Sequence, residues 1–333
     1  MRKNDTNSGS GFYSGLIFLT TVLLLFSSLP AAAAPVEMME PKSRSLGAST
    51  GDLFGTVIRA DGDLNGDGIT DVVIGAPGAG GGDGKVYIYI SPSQGITSFS
   101  PSSANCVISG NSSQSGSFGA SISFREDING DGRKDLVIGA PGEDMVYIFL
   151  GRLLYTSTLG VSDADLVYCG PNGSKFGESV DISKDFNGDG DPDVIIGAPD
   201  LQVFIFGDQG PGYYPVGAAL IFTNASNHLS LYSGESVSYT MADVNLTGDS
   251  GNVDFGEVVA GVGDINGDGL NDTAVGDPGY SSGAGGVFIM YGRSFFDQDN
   301  YTAPQLLLLK GRSSSRFGSS IPVSYTHLTL PTN

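Results

Sequence analysis

Four stretches of this chain repeat one nine-residue pattern of oxygen-bearing side chains: 63–71, 127–135, 185–193 and 264–272. Each has Asp at positions 1, 5 and 9, Asn at 3, and Gly at 4 and 6. Carboxylate and amide oxygens at alternate positions of a tight loop suit a hard cation, and Ca²⁺ takes about six to eight of them in a flexible cage. The glycines let the backbone adopt positive φ without a steric penalty. The candidate ligands of the first loop are Asp63, Asn65, Asp67, Asp71 and the main-chain carbonyl of Ile69. The second offers Asp127, Asn129, Asp131, Asp135 and the carbonyl of Arg133. The third offers Asp185, Asn187, Asp189, Asp193 and the carbonyl of Asp191. The fourth offers Asp264, Asn266, Asp268, Asp272 and the carbonyl of Leu270. Side chains at position 7 differ widely, as expected where only the backbone serves. Solvated turns of the same residues are the bland alternative. Four copies with the same donors at the same spacing weigh against it.

The elements around these loops are strands. An EF-hand needs a bidentate Glu at position 12 and a helix on each side. Position 12 here is Ile74, Ile138, Ile196 or Val275, and each loop runs into a β-branched segment ending in proline, as in DVVIGAP over 71–77. A Phe-Gly pair precedes every loop by nine residues, at Phe54, Phe118, Phe176 and Phe255, and a fifth pair stands at Phe317. The pairs are spaced 64, 58, 79 and 62 residues apart. After each loop come Gly-Ala-Pro (Gly-Asp-Pro in the last copy) and an aromatic run: KVYIYI, MVYIFLG, QVFIFG, VFIMYG. A period near 60 with several short strands per unit predicts an array of β blades. In each, Phe fills the core between sheets and Gly permits close backbone approach.

The order Phe-Gly, Asp-x-Asn-Gly-Asp-Gly-x-x-Asp, Gly-Ala-Pro resembles the FG-GAP repeat, which builds the seven-bladed propeller of integrin α subunits. The resemblance covers 53–323. It implies an all-β propeller of four complete repeats, over about 53–117, 118–175, 176–254 and 255–316, with a fifth begun at 317. It also implies calcium in about four loops, on the face opposite a ligand-binding face. A protein ligand and a β subunit follow as expected partners, with a role in cell adhesion. The alternative is a secreted non-integrin module, either carbohydrate- or matrix-binding or the accessory propeller of a phospholipase D-like hydrolase.

Formal net charge is −20, and twelve of the 36 acidic residues are the aspartates at loop positions 1, 5 and 9. No basic stripe suits nucleic acid. Residues 1–34 read as a cleaved secretory signal, with Arg2 and Lys3, an apolar run from Leu16 to Leu29, and small residues at 31–34. That run is short for a membrane span, and no membrane attachment is visible. The expected location is extracellular. A linker over 35–52 follows, and 324–333 abandons the pattern as a non-native tail. The 79-residue third repeat carries an excess over 224–254, read as an insertion hairpin with His228 exposed in it; its Asp243-to-Asp249 run echoes a calcium loop. Cys106 and Cys169 are candidates to pair. Sequons stand at Asn111, Asn172, Asn224, Asn245, Asn271 and Asn300. With two histidines and no nucleophile elbow, the chain reads as a non-enzyme.

Overall fold

The computed structural model describes residues 49–321 apart from 97–98, 112–114, 156–157, 208–209, 250–253, 295–299 and 303–305. The expected signal, most of the linker and the tail lie outside the described residues. The regular structure of the described residues is almost entirely β, and all but the two strands of one hairpin belong to four sheets of propeller type. The first sheet holds β1 (Val57–Arg59), β2 (Val72–Ala76), β3 (Lys85–Tyr89) and β4 (Cys106–Ser109). The second holds β5 (Ser121–Ser123), β6 (Leu136–Ala140), β7 (Met145–Phe149) and β9 (Leu166–Cys169). The third holds β10 (Val180–Ser183), β11 (Asp193–Ala198), β14 (Ala218–Phe222) and β16 (Val244–Thr247). The fourth holds β17 (Val258–Gly263), β18 (Asp272–Asp277), β19 (Gly286–Met290) and β21 (Leu307–Lys310). All pairs among these sixteen strands are antiparallel, and the four sheets close no ring among the described residues.

Each of the first three sheets also receives a short strand from the next repeat. β8 (Thr158–Gly160) pairs in parallel with β4, β15 (Ser236–Ser238) with β9, and β20 (Asn300–Thr302) with β16. An outer strand would otherwise present a bare row of backbone donors and acceptors. The lacing covers that row and ties neighbouring repeats by main-chain bonds.

Between the sheets lie apolar cores. Phe118 is buried between the first and second sheets, Phe176 between the second and third, and Phe255 between the third and fourth. Their rings meet strand aromatics edge-on, as Phe118 meets Tyr147 and Phe255 meets Phe288. The following glycine has φ of 86° at Gly119, 92° at Gly177 and 92° at Gly256. Its amide donates to the Gly-Ala-Pro glycine of its own sheet, at 3.0 Å from Gly119 to Gly139 and 2.9 Å from Gly177 to Gly197. Its carbonyl presses on the Gly-Ala-Pro glycine of the preceding sheet: a Cβ on Gly139 would stand 2.0 Å from the oxygen of Gly177.

A buried polar pin adds to these contacts. Arg125 and Asp181 form an ion pair between the second and third sheets. Arg125 also donates to the carbonyls of Ile182 (2.8 Å) and Gly261 (3.2 Å), and the Gly261 amide donates to Asp181 at 2.9 Å. A buried pair is tolerated when such bonds satisfy its remaining groups.

The third repeat departs from expectation. Its inserted hairpin is β12 (Gln202–Gly207) with β13 (Gly210–Pro215), between the second and third strands. QVFIFG is therefore a hairpin strand, and AALIF over 218–222 takes the central place, paired with β11 and β16. The 224–254 segment holds helix α1 (Ala225–Leu231), the lacing strand β15 and the outer strand β16. Asp243 is no calcium-loop echo. It accepts the Thr223 amide at 2.8 Å just before the outer strand, as Asp165 accepts that of Leu150 and Asn105 that of Ile90. His228 is buried, not exposed. Its Nδ1 lies 3.1 Å from the Tyr168 hydroxyl among aromatic rings, and burial lowers its pKa. Cys106 and Cys169 are both free.

Gly139→Ala should cost about 2–4 kcal/mol, because the new methyl must displace backbone. Gly160→Ala, whose Cβ would meet nothing nearer than 3.8 Å, should be near neutral. Denaturant melts of the two variants check this. Asp277 stands where the other repeats have Ala76, Ala140 and Ala198. It is fully buried, and neither carboxylate oxygen makes a hydrogen bond. Burial, with Asp254 and Glu257 nearby, raises its pKa to about 6. The folded chain then holds an extra proton between about pH 4 and 6, so stability falls as pH rises through that window. Asp277→Ala should stabilise by about 2 kcal/mol at pH 7.5 and by much less at pH 4. An equal gain at both would remove the charge from the explanation.

Candidate metal centres

Every loop joins the first and second strands of its sheet, so all four lie at the same strand ends. In the first, the Asp63 carboxylate accepts the amides of Gly66 (2.7 Å), Asp67 (3.2 Å) and Gly68 (2.6 Å). Asn65 Oδ1 accepts the Asp67 amide at 3.1 Å, and Asp67 accepts both Asn65 Nδ2 and the Ile69 amide at 2.9 Å. Gly66 and Gly68 have φ of 75° and 84°, which these bonds require. The set recurs around Asp127, Asn129 and Asp131, around Asp264, Asn266 and Asp268, and, without the bond from the position-5 amide to position 1, around Asp185, Asn187 and Asp189. Positions 1, 3 and 5 are thus brought together in all four loops.

Position 9 plays a different part. Asp71, Asp135, Asp193 and Asp272 open or precede the second strand and are fully buried. One oxygen of Asp71 accepts the Leu64 amide within the loop, and the other accepts Ser91 at the far end of the third strand, both at 2.9 Å. Asp135 and Asp272 do likewise, through Ile128 with Gly151 and Ile265 with Gly292. Asp193 accepts Phe186 at 2.5 Å, but its Oδ1 has no partner. Burial raises the pKa of all four, to about 6 at Asp135 and about 8 at Asp193. Nearby carboxylates at positions 1 and 5 add to the rise at Asp71, Asp193 and Asp272. At the exposed Asp264, bonds from Gly269 and its neighbours lower it.

The residues fit a hard divalent cation. Carboxylates crowd each loop, and among the described residues an ion pair reaches a loop carboxylate of positions 1, 5 or 9 only at Asp131, from Arg133 at 2.7 Å. A buried carboxylate oxygen without a partner, as at Asp193, is costly unless something positive meets it. No three acidic, His or Cys side chains stand in metal-holding arrangement among the described residues.

The loops are also coupled in pairs, which sequence reading missed. The Lys134 amide, at position 8 of the second loop, donates to the Asp63 carbonyl at 2.9 Å. Asn271, at position 8 of the fourth, donates to Asp185 at 2.7 Å. Side chains at position 7 seal these seams: Arg133 covers Gly66 and Leu270 covers Gly188. Position 8 of the third loop is Pro192, which has no N–H. That seam is instead a cleft of about 330 Å³ lined by Asp127, Asn129, Lys184, Asp191 and Pro192, with Ser226 of α1 donating to Asp191 at 2.6 Å. The proline was visible in the sequence, but its consequence needed the neighbouring loop.

The FG-GAP repeat family model matches residues 54–89, 118–154 and 176–214. The chain thus carries FG-GAP repeats. Its third match runs across the inserted hairpin, since by pattern alone QVFIFG passes for the blade strand. The FG-GAP chain is 38% identical over 165 residues to integrin alpha-PS5 of Drosophila melanogaster, covering 47% of this chain and 16% of that protein. It is 32% identical over 158 residues to integrin alpha-4 of Xenopus laevis (46% and 15%), and 34% over 163 to integrin alpha-11 of Homo sapiens (46% and 13%). The matched part therefore spans less than a fifth of these relatives. No helix among the described residues is long and apolar enough to cross a membrane.

Lys134→Pro, which copies the third loop's seam, should cost about 1–2 kcal/mol through the lost main-chain bond. Pro192→Ala breaks no such bond and should cost under about 1 kcal/mol. Melts in chelator separate this coupling from any effect of cations.

Proposed function

We propose that this FG-GAP chain is the calcium-braced, extracellular propeller of an integrin α-like adhesion protein. The observation that carries the reading is the repetition, at one end of four neighbouring sheets, of the same crowded and almost uncompensated carboxylate loop. Calcium at about four sites would be held by positions 1, 3, 5 and 9 and the carbonyl of position 7. Bound there, it supplies positive charge where the protein supplies almost none. The repeats would then run over about 53–117, 118–175, 176–254 and 255–316, behind a secretory leader. The chain acts by binding and not by catalysis, pairing with a β subunit and meeting a protein ligand at the end opposite the loops. The inserted hairpin projects from that opposite end, with Phe204 and Tyr213 exposed. Similarity to integrin α chains supports adhesion over a hydrolase accessory role.

Calorimetric titration of the chain from Pro35 onward with Ca²⁺, and melts in Ca²⁺ and in chelator, test the reading. About four sites are expected, each adding about 2.7 kcal/mol at a hundredfold excess over Kd. Asp67→Ala should remove one site and lower the melting temperature only in Ca²⁺. An unchanged melt with and without Ca²⁺ would sink the bracing role.

A further inference from the structure

We propose that Asn172 carries an N-linked glycan whose first sugar packs on Tyr213 of the inserted hairpin; this rests on the extracellular reading above. Asn172-Gly173-Ser174 is a sequon at the tip of a turn. The Ser174 amide donates to the Pro171 carbonyl at 3.1 Å, and Gly173 has φ of 76°. Asp144 locks the turn from below, accepting the Gly173 amide (2.6 Å), the Ser174 hydroxyl (3.1 Å) and the Phe176 amide (3.2 Å). The asparagine itself is exposed, and a Cβ on Gly173 would meet nothing within 4 Å. A rigid, open turn thus presents the side-chain amide to solvent.

The other sequons whose exposure is described are all half-buried: Asn111, Asn224, Asn245 and Asn271. Asn224 uses its Nδ2 to hold Asp243 at 3.2 Å. Asn245 lies in β16 with strands on both sides. Asn271 belongs to a loop and donates its main-chain amide to Asp185.

In the transfer, a lipid-linked diphosphate oligosaccharide is the co-reactant. Asn172 Nδ2 forms a bond to C1 of the first sugar as the C1–O bond to the diphosphate breaks. The diphosphate leaves with the electron pair, and the amide nitrogen gives up one proton. A cleft of about 310 Å³ beside the turn is lined by Asn172, Asp200, Gln202 and Tyr213. Tyr213 is 71% exposed and offers an apolar ring face to a sugar, with Gln202 beside it and Asp200, paired with Lys175 at 2.9 Å, on the same wall.

The full chain should be expressed in eukaryotic cells with its own leader and, in parallel, behind an unrelated cleavable leader. Glycopeptide mass spectrometry of total microsomal protein should find Asn172 occupied on most chains behind the unrelated leader, above Asn224 and Asn271. Asn172→Gln should remove one glycan's mass. Endoglycosidase should release the Asn172 glycan several-fold faster from Tyr213→Ala than from the parent. An unmodified Asn172 behind the unrelated leader overturns the site, and equal release rates overturn the contact with Tyr213. Occupancy behind the unrelated leader but not the native one keeps the site and counts against the secretory reading.

Discussion

Two glycines meeting across a sheet interface set the geometry of this fold. The Phe-Gly glycine of one repeat places its carbonyl against the Gly-Ala-Pro glycine of the repeat before it, where a methyl would stand 2.0–2.2 Å from oxygen. Neither residue can carry a side chain there: one needs positive φ and the other needs the space. That approach lets the neighbouring Phe ring reach the shared core. It also fixes the distance between sheets, and so where each loop stands relative to the next.

The loops inherit their order from the same contacts. In three of the four loops the position-9 aspartate is clamped between its own loop and the end of the third strand, so the charged loop is fastened to the sheet's most buried part. Sheet spacing then brings position 8 of one loop to the first carbonyl of its predecessor. Where position 8 is Pro192, the rung is missing and helix α1 reaches the loop by Ser226 instead. Structural and electrostatic roles are divided within one nine-residue stretch: position 9 bonds inward, while positions 1, 3 and 5 gather oxygens at the surface.

The loops, the Phe-Gly and Gly-Ala-Pro pairs and the all-β class were legible in the sequence, because each depends on residue types at fixed short spacing. The third repeat was not. QVFIFG and AALIF are both plausible buried strands, and pattern cannot rank them. Context could: the third strand starts after a left-handed glycine at Gly84, Gly217 and Gly285, whose close approach to the next repeat's Phe permits no Cβ. Leu201 precedes QVFIFG and has no such role. His228 misled for a similar reason. Alone in a polar segment it reads as surface, yet its partner Tyr168 comes from the preceding repeat, 60 residues away. Strand lacing was equally hidden, since three-residue parallel pairings leave no periodic trace.

The fold therefore sums two kinds of interaction that respond to different conditions. Apolar cores and glycine contacts hold sheet to sheet and are indifferent to ions. The loops place like charges side by side, and burial, with the Asp189 and Asp185 carboxylates adding to it, pushes the Asp193 pKa up to about 8. A cation of charge two at the proposed sites would offset that repulsion. The opposite strand ends are separated from the loops by the full length of the central strands, β2, β6, β11 and β18, which are buried along nearly their whole course.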